Sequence, residues 1–258
     1  MRGRQMMQSE FVRIMTAVMD VGEMMLTSGA EVNRVEDTLN RILHAYGCVR
    51  VDVFTITSSI VVTARTADGE SFTQTRRIQD YVTDMYKIER CNALSRKICK
   101  SALPAEELQK EVEGIRKEKS YPGWVRLLAY GGISAVFSIF FGGTFGDGAA
   151  ALLCGLILFG AIELCNKLKL QRIILTILCS AIVGLGAVLL TGIGLGNSVD
   201  KIIIGNIMLL IPGISLTTSV RDMISGDTIS GLLGLCEAVI RALAIAVGFA
   251  LVLWGFPG

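Results

Sequence analysis

Histidine is almost missing from this chain: His44 is the one copy in 258 residues. No cysteine or serine stands at a spacing from it that suggests nucleophilic catalysis, so a structural role is expected and no enzyme activity is read here. The cysteines form no pattern either. Cys48, Cys91, Cys99, Cys154, Cys165, Cys179 and Cys236 are scattered, odd in number and without metal-ligand spacing. That argues against a metal site and a disulfide framework, and predicts buried, reduced thiols in a cytosol-facing protein. No cofactor is expected. Long basic runs are absent and the net charge is only +2, which excludes a nucleic-acid partner. A secretory leader is not expected, because Glu10, Arg13 and Asp20 interrupt the first apolar stretch and no small-residue cleavage site follows.

Charge is scarce in one half only. Residues 1–123 hold 18 of the 25 Lys+Arg and 17 of the 23 Asp+Glu, leaving seven and six for the other 135 residues. The chain is 52% hydrophobic, with mean hydropathy +0.56. These numbers predict a soluble-type region, 1–123, followed by a membrane region, 124–258.

Five apolar runs approach the length that about 30 Å of hydrocarbon demands. They cover roughly 125–142, 149–166, 173–193, 202–220 and 231–254. The expected fold class is an α-helical integral membrane protein with five transmembrane helices, preceded by a small α+β cytoplasmic domain. Lys110, Arg116, Lys117, Lys119 and Arg126 precede the first run; Lys167, Lys169 and Arg172 follow the second; Arg221 follows the fourth. The positive-inside rule then puts the N-terminus in the cytoplasm and the C-terminus outside, in a multi-pass plasma-membrane protein. Tyr121, Trp124, Trp254 and Phe256 suit interfacial belts. "GIGLGN" at 192–197 reads as a short extracellular turn, not a nucleotide loop.

Two runs are interrupted by chemistry. In "IIIGNIMLLIPGISLTTSVRD", Asn206 and Pro212-Gly213 break the apolar pattern, and Ser215, Thr217, Thr218 and Ser219 follow at once. Proline removes a donor and clashes with the preceding turn. Hydroxyls can supply replacement hydrogen bonds, and a helix restarting after Pro212 would aim N–H groups at an anion. An inert kink is the alternative reading. The last run carries Glu237 and Arg241 four residues apart, where a central charge costs about 2.5–3.5 kcal/mol on insertion scales. Gly234, Ala238, Ala242, Ala246 and Ala250 form a small-residue stripe, which places the charged pair beside a helix seam, facing the bundle interior. A permanent structural ion pair remains the alternative to a substrate role.

In the soluble region, 10–27 and "TSGAEVNRVEDTLNRILHAYG" read as helices, the second with Val32, Val35, Leu39, Ile42 and Leu43 on its apolar side and Gly47 as a stop. Strands are expected at "VRVDVFTI", "SIVVTART" and "ESFTQTRRI", with an Asp68-Gly69 hairpin, then helices around 80–101 and 105–119. Glu31, Arg34 and Glu36 cluster at one helix start. Ser28-x-x-Glu31 fits a capping box, the bland reading of Glu31.

With these residues placed, the chain resembles the threonine/serine exporter family over nearly its whole length. The likeness rests on "GAEVNRVEDTLNRI" with the β-rich stretch after it, and on "IPGISLTTSVRDMISGDTISGLLGLCEAVIRAL". It implies a secondary transporter that exports small polar carboxylate metabolites such as threonine and serine. The family occurs as fused ten-span chains and as split pairs, and five spans with a soluble domain resemble the larger subunit of a pair. The implied partners are a small membrane subunit supplying the second half, a small-molecule substrate and the lipid bilayer, with a homo-oligomer also open. In this reading Arg241 meets the substrate carboxylate, and Glu237 neutralises it when the site is empty. Pro212, Gly213, Ser215 and Asn206 line the same site. Asp222, Asp227 and Arg221 serve gating or coupling, and Glu31, Arg34 and Glu36 form the motif of the N-terminal domain. A dicarboxylate exporter subunit, or a regulatory subunit without its own pathway, is the alternative.

Overall fold

A computed structural model describes residues 2–79, 81–118, 121–168 and 170–255, with only the helical backbone for residues 2–8. Lys119, Lys169 and Phe256, used above for orientation and belts, lie outside the described residues. In chain order the elements are α1 (Arg2–Thr27), α2 (Val32–Ala45), β1 (Cys48–Ile56), β2 (Ser59–Thr66), β3 (Ser71–Arg77), α3 (Met85–Lys100) and α4 (Ala105–Lys117). Then come α5 (Gly123–Phe140), α6 (Phe145–Lys167), α7 (Arg172–Gly192), α8 (Val199–Leu210), α9 (Gly213–Ile224) and α10 (Thr228–Gly255). They divide into two compact units: residues 1–120 with 214–235, and residues 121–213 with 236–258.

The first unit is built on an antiparallel sheet of order β1-β2-β3. Alternation along a strand sends every second side chain to one face, and Ile60, Val62 and Ala64 of β2 are fully buried. α2 lays Val32, Val35, Leu39, Ile42 and Leu43 into the same core, as its periodicity predicts. α1 contributes Met15, Val18, Met19 and Met25, α3 contributes Leu94 and Ile98, and α4 contributes Leu108, Val112 and Ile115. Burying a side chain of this size is worth about 1.5–3 kcal/mol each. Gly22 has a packing reason: a Cβ there would lie 2.9 Å from Leu39 Cδ1. The hairpin turn forms between β2 and β3, with Gly69 at φ +83, a conformation glycine tolerates without a Cβ clash.

The second unit is held by close backbone approach. At Gly205 of α8 a Cβ would sit 2.4 Å from the Ser134 carbonyl, and at Gly155 of α6 it would sit 2.5 Å from Ser134 Oγ. Small residues let membrane helices approach this closely. Large side chains instead cover the outer surfaces: Leu128, Val136, Ile157, Leu189 and Leu251 are all exposed. Among the described residues four helices are long and apolar enough to cross a membrane: α5, α6, α7 and α10. α8 and α9 are bent by 52° at their break and make a fifth span if the pair counts as one. Tyr121, Trp124 and Trp254 are exposed near helix ends.

Two expectations are corrected by packing. The small-residue stripe is not the seam of α10: Ala238 is buried, but Ala242, Ala246 and Ala250 are exposed. A repeat of four drifts about 40° per step on a helix of 3.6 residues per turn, so the stripe rotates off the contact face. The buried set is Ser230, Gly231, Ala238, Ala244, Ile245, Gly248 and Phe249. The cysteines are all free thiols, but Cys99 and Cys236 are exposed rather than buried.

Candidate functional site

The first unit brings together two residue groups that lie far apart in sequence. α2 begins at Val32, with Glu31 at its N-cap and no side-chain cap bond from Glu31. The Ser28–Glu31 capping box therefore does not form. The motif needs serine at the cap and glutamate three residues inside the helix, whereas here glutamate is the cap and Ser28 precedes it. Capping comes from elsewhere: the Val32 N–H donates to Asp222 Oδ1 at 3.2 Å. A carboxylate at a helix N-terminus is stabilised both by the bond and by the helix dipole. Arg221, next in line, pairs with Glu31.

Glu36 lies one turn into α2 and accepts from the Thr55 N–H of β1 at 2.7 Å. Burial pushes its carboxyl above the ordinary range; the Thr55 bond opposes this, and the Asp227 charge adds to it. Asp227 also donates its N–H to the Asp222 carbonyl, closing the turn between α9 and α10. Four carboxylates, Glu31, Glu36, Asp222 and Asp227, thus share one neighbourhood with the guanidinium of Arg221. Arg34 does not join them and is exposed. His44, by contrast, is local: its Nδ1 lies 2.8 Å from the Cys48 carbonyl.

The break in the fourth run is present. α8 ends at Leu210, Pro212 is buried, and α9 restarts at Gly213. The hydroxyls that follow make bonds along α9. Thr217 and Thr218 donate to the Ile214 carbonyl at 2.9 and 3.0 Å, and Ser219 donates to the Ser215 carbonyl at 2.7 Å. Short hydroxyl side chains on a helix reach carbonyls three or four residues back, so these bonds close within α9. Asn206 is fully buried and spent on packing: it accepts from Ser134 Oγ at 2.9 Å and donates to the Ala151 and Ile202 carbonyls. It ties α8 to α5 and α6.

Glu237 and Arg241 lie one turn apart on α10. Glu237 is exposed, Arg241 is half-buried, and no ion pair joins them among the described residues. Gly248 packs against Ser180 and Ile177 of α7, so tightly that a Cβ would be 2.5 Å from the Ile177 carbonyl. Arg241 lies seven residues earlier, about 10 Å back along the helix. That sets it level with the first turn of α7, where the Arg172 charge faces it. Arg241 is therefore level with the start of α7, half-buried, with Glu237 exposed one turn earlier.

A small α+β region followed by interrupted apolar helices has counterparts among known proteins. The threonine/serine exporter family model, ThrE, matches residues 16–254. The chain belongs to the threonine/serine exporter family. A Mycobacterium tuberculosis protein named "Probable threonine/serine exporter" is 24% identical over 253 residues, covering 94% of this chain and 46% of that protein. The chain thus spans about half the length of the relative it matches. No solved structure matches it. Family membership and the apolar helices together make this a membrane protein.

One buried acid is not among the residues singled out from the sequence. Asp147, at the start of α6, is 1% exposed and accepts from Thr144 N and Oγ1 and from the Asn197 and Ser198 N–H groups. It staples the residues before α8 to the α6 start. Thr144-x-x-Asp147 was legible as a capping box. The reach to Asn197 was not.

Proposed function

We propose that this chain is one half of a secondary transporter exporting small polar carboxylate metabolites such as threonine and serine. The second membrane half comes from a small membrane subunit of the same family. The observation that carries the reading is the exporter-family match over residues 16–254 in a chain whose α10 presents Glu237 on an exposed face. A charge on the outside of an apolar helix calls for a polar partner surface. Arg241 would meet the substrate carboxylate with the bidentate geometry guanidinium allows, with Glu237 as its counter-charge or a proton carrier. Pro212 and Gly213, with Ser215 on the first turn of α9, would give the pathway its discontinuous helix. In the same proposal the soluble domain is cytoplasmic and the end of α10 extracytoplasmic. An impermeant thiol reagent should then label single cysteines near residues 145 and 197 from outside, and not those near 170 and 224.

The deciding experiment is counterflow in proteoliposomes, with and without the small subunit, across amino acids and dicarboxylates. Threonine or serine exchange that requires both subunits supports the reading. Exchange of dicarboxylates alone favours the dicarboxylate alternative, because Arg172 supplies a second cation beside Arg241. No exchange with any substrate, in a pair that assembles, favours a regulatory subunit.

A further inference from the structure

We propose that the turn joining α9 to α10 is a proton-operated latch on the start of α2. The latch is made by two bonds that cross 190 residues of chain: Asp222 to the Val32 N–H, and Arg221 to Glu31. Together they hold the end of α9 against the α1–α2 turn, and neither is part of any helix or sheet ladder. The charged groups gathered there do not balance. α2 and its cap contribute Glu36 and Glu31; the end of α9 and its turn contribute Asp222 and Asp227; β1 contributes only the Thr55 N–H. Among the described residues the cation bonded within the cluster is Arg221, which pairs with Glu31; Arg34 on α2 is exposed.

Four acids against one base leave an excess of negative charge where Asp222 is only 7% exposed. Like charges in a partly desolvated site disfavour full ionisation. Burial, with the Asp227 charge added to it, holds the Glu36 carboxyl above its ordinary range, so the closed form, with Asp227 beside Glu36, keeps a proton that the open form gives up. Linkage fixes the sign: rising pH removes protons from the closed form and favours release of the turn from α2. The moving part is α9. It carries Arg221 and Asp222, the two residues that make the crossing bonds. The latch converts proton occupancy on the soluble domain into the position of the helix that follows the break. It acts on this chain's own conformation, whatever the transported substrate proves to be.

The test uses the full chain in lipid nanodiscs. Spin labels go on Asn33→Cys and Ser225→Cys, both exposed positions, with the exposed Cys99 and Cys236 changed to serine. Distance distributions are measured by pulsed electron resonance from about pH 5.5 to about pH 8.5, a range that covers a raised carboxyl. The expected result is one short distance at the acid end and a growing longer population as pH rises. Asp227→Asn removes one acid and touches neither crossing bond, so it should move the midpoint of opening to higher pH. Arg221→Gln removes the cation and one crossing bond, and should populate the long distance at lower pH. A distribution that does not change with pH overturns the proposal. So does a pH-dependent opening whose midpoint ignores Asp227→Asn, because the proton would then bind outside this cluster.

Discussion

The Val32 N–H and the Asp222 carboxylate, 190 residues apart in sequence, meet at 3.2 Å and cap α2. The helix start that carries the family-like "GAEVNRVEDTLNRI" stretch is thus completed by a residue from the far end of the broken run.

Asp222→Ala should destabilise the chain by about 1 kcal/mol, the usual cost of losing a helix cap. Asp222→Asn keeps an oxygen acceptor and should lose less. Thermal unfolding in detergent, followed by helical circular dichroism, separates the two. Equal melting of both variants and the parent would show that the bond contributes nothing.

Glu36 supplies a pH prediction. Its folded-state affinity for a proton is raised, chiefly by burial. Its contribution to stability is therefore fully present below the unfolded carboxyl range and is lost as pH rises through the folded value. Glu36→Gln keeps an acceptor for the Thr55 N–H and cannot ionise. The variant should melt higher than the parent at neutral and alkaline pH, with the gap closing towards about pH 4. A gap that widens on acidification would reverse the assigned sign.

Gly205→Ala should be costly. Its Cβ would lie 2.4 Å from a backbone carbonyl, which cannot swing aside as a side-chain tip can. Overpacking of this kind costs about 1–3 kcal/mol. Gly132→Ala, with nothing within 4 Å of the added carbon, is the matched control and should fold at parental abundance.

Pro212→Ala restores a backbone donor and should straighten the α8–α9 break. Membrane abundance should be normal and substrate binding impaired. Parental transport by this variant would remove the break from the pathway.

For Arg241, the informative protein is the double variant Glu237→Gln/Arg241→Gln. If the two charges only neutralise each other, it should assemble and transport, since no lone charge remains. If Arg241 grips the substrate, the double variant should assemble and stay inactive, while Arg241→Lys keeps the charge with weaker affinity. Counterflow at the parental rate in the double variant would reject the substrate role.

Local pattern carried much of the architecture. The β2 strand, the apolar face of α2, the Asp68-Gly69 hairpin and the Pro212 break were all legible, because each depends on residues within a turn or two of one another. The periods of helix and strand are short-range properties of the backbone, and a proline breaks a helix wherever it stands. The scarcity of charge likewise pointed to the long apolar helices α5, α6, α7 and α10, since hydrocarbon excludes ions whatever the packing.

Only the tertiary structure decided which of these pieces meet. Nothing near Glu31 signals that Arg221 pairs with it, or that Asp222 replaces Ser28 as the cap, because those contacts depend on chain closure over 190 residues. The level of Arg241 along α7 depends on how far α10 slides along that helix, which Gly248 and Ser180 set by contact. The lipid-like run around Glu237 and Arg241 fixed a helix. Where that helix begins relative to its neighbours, and so which turn of α7 lies level with Arg241, is a property of packing alone.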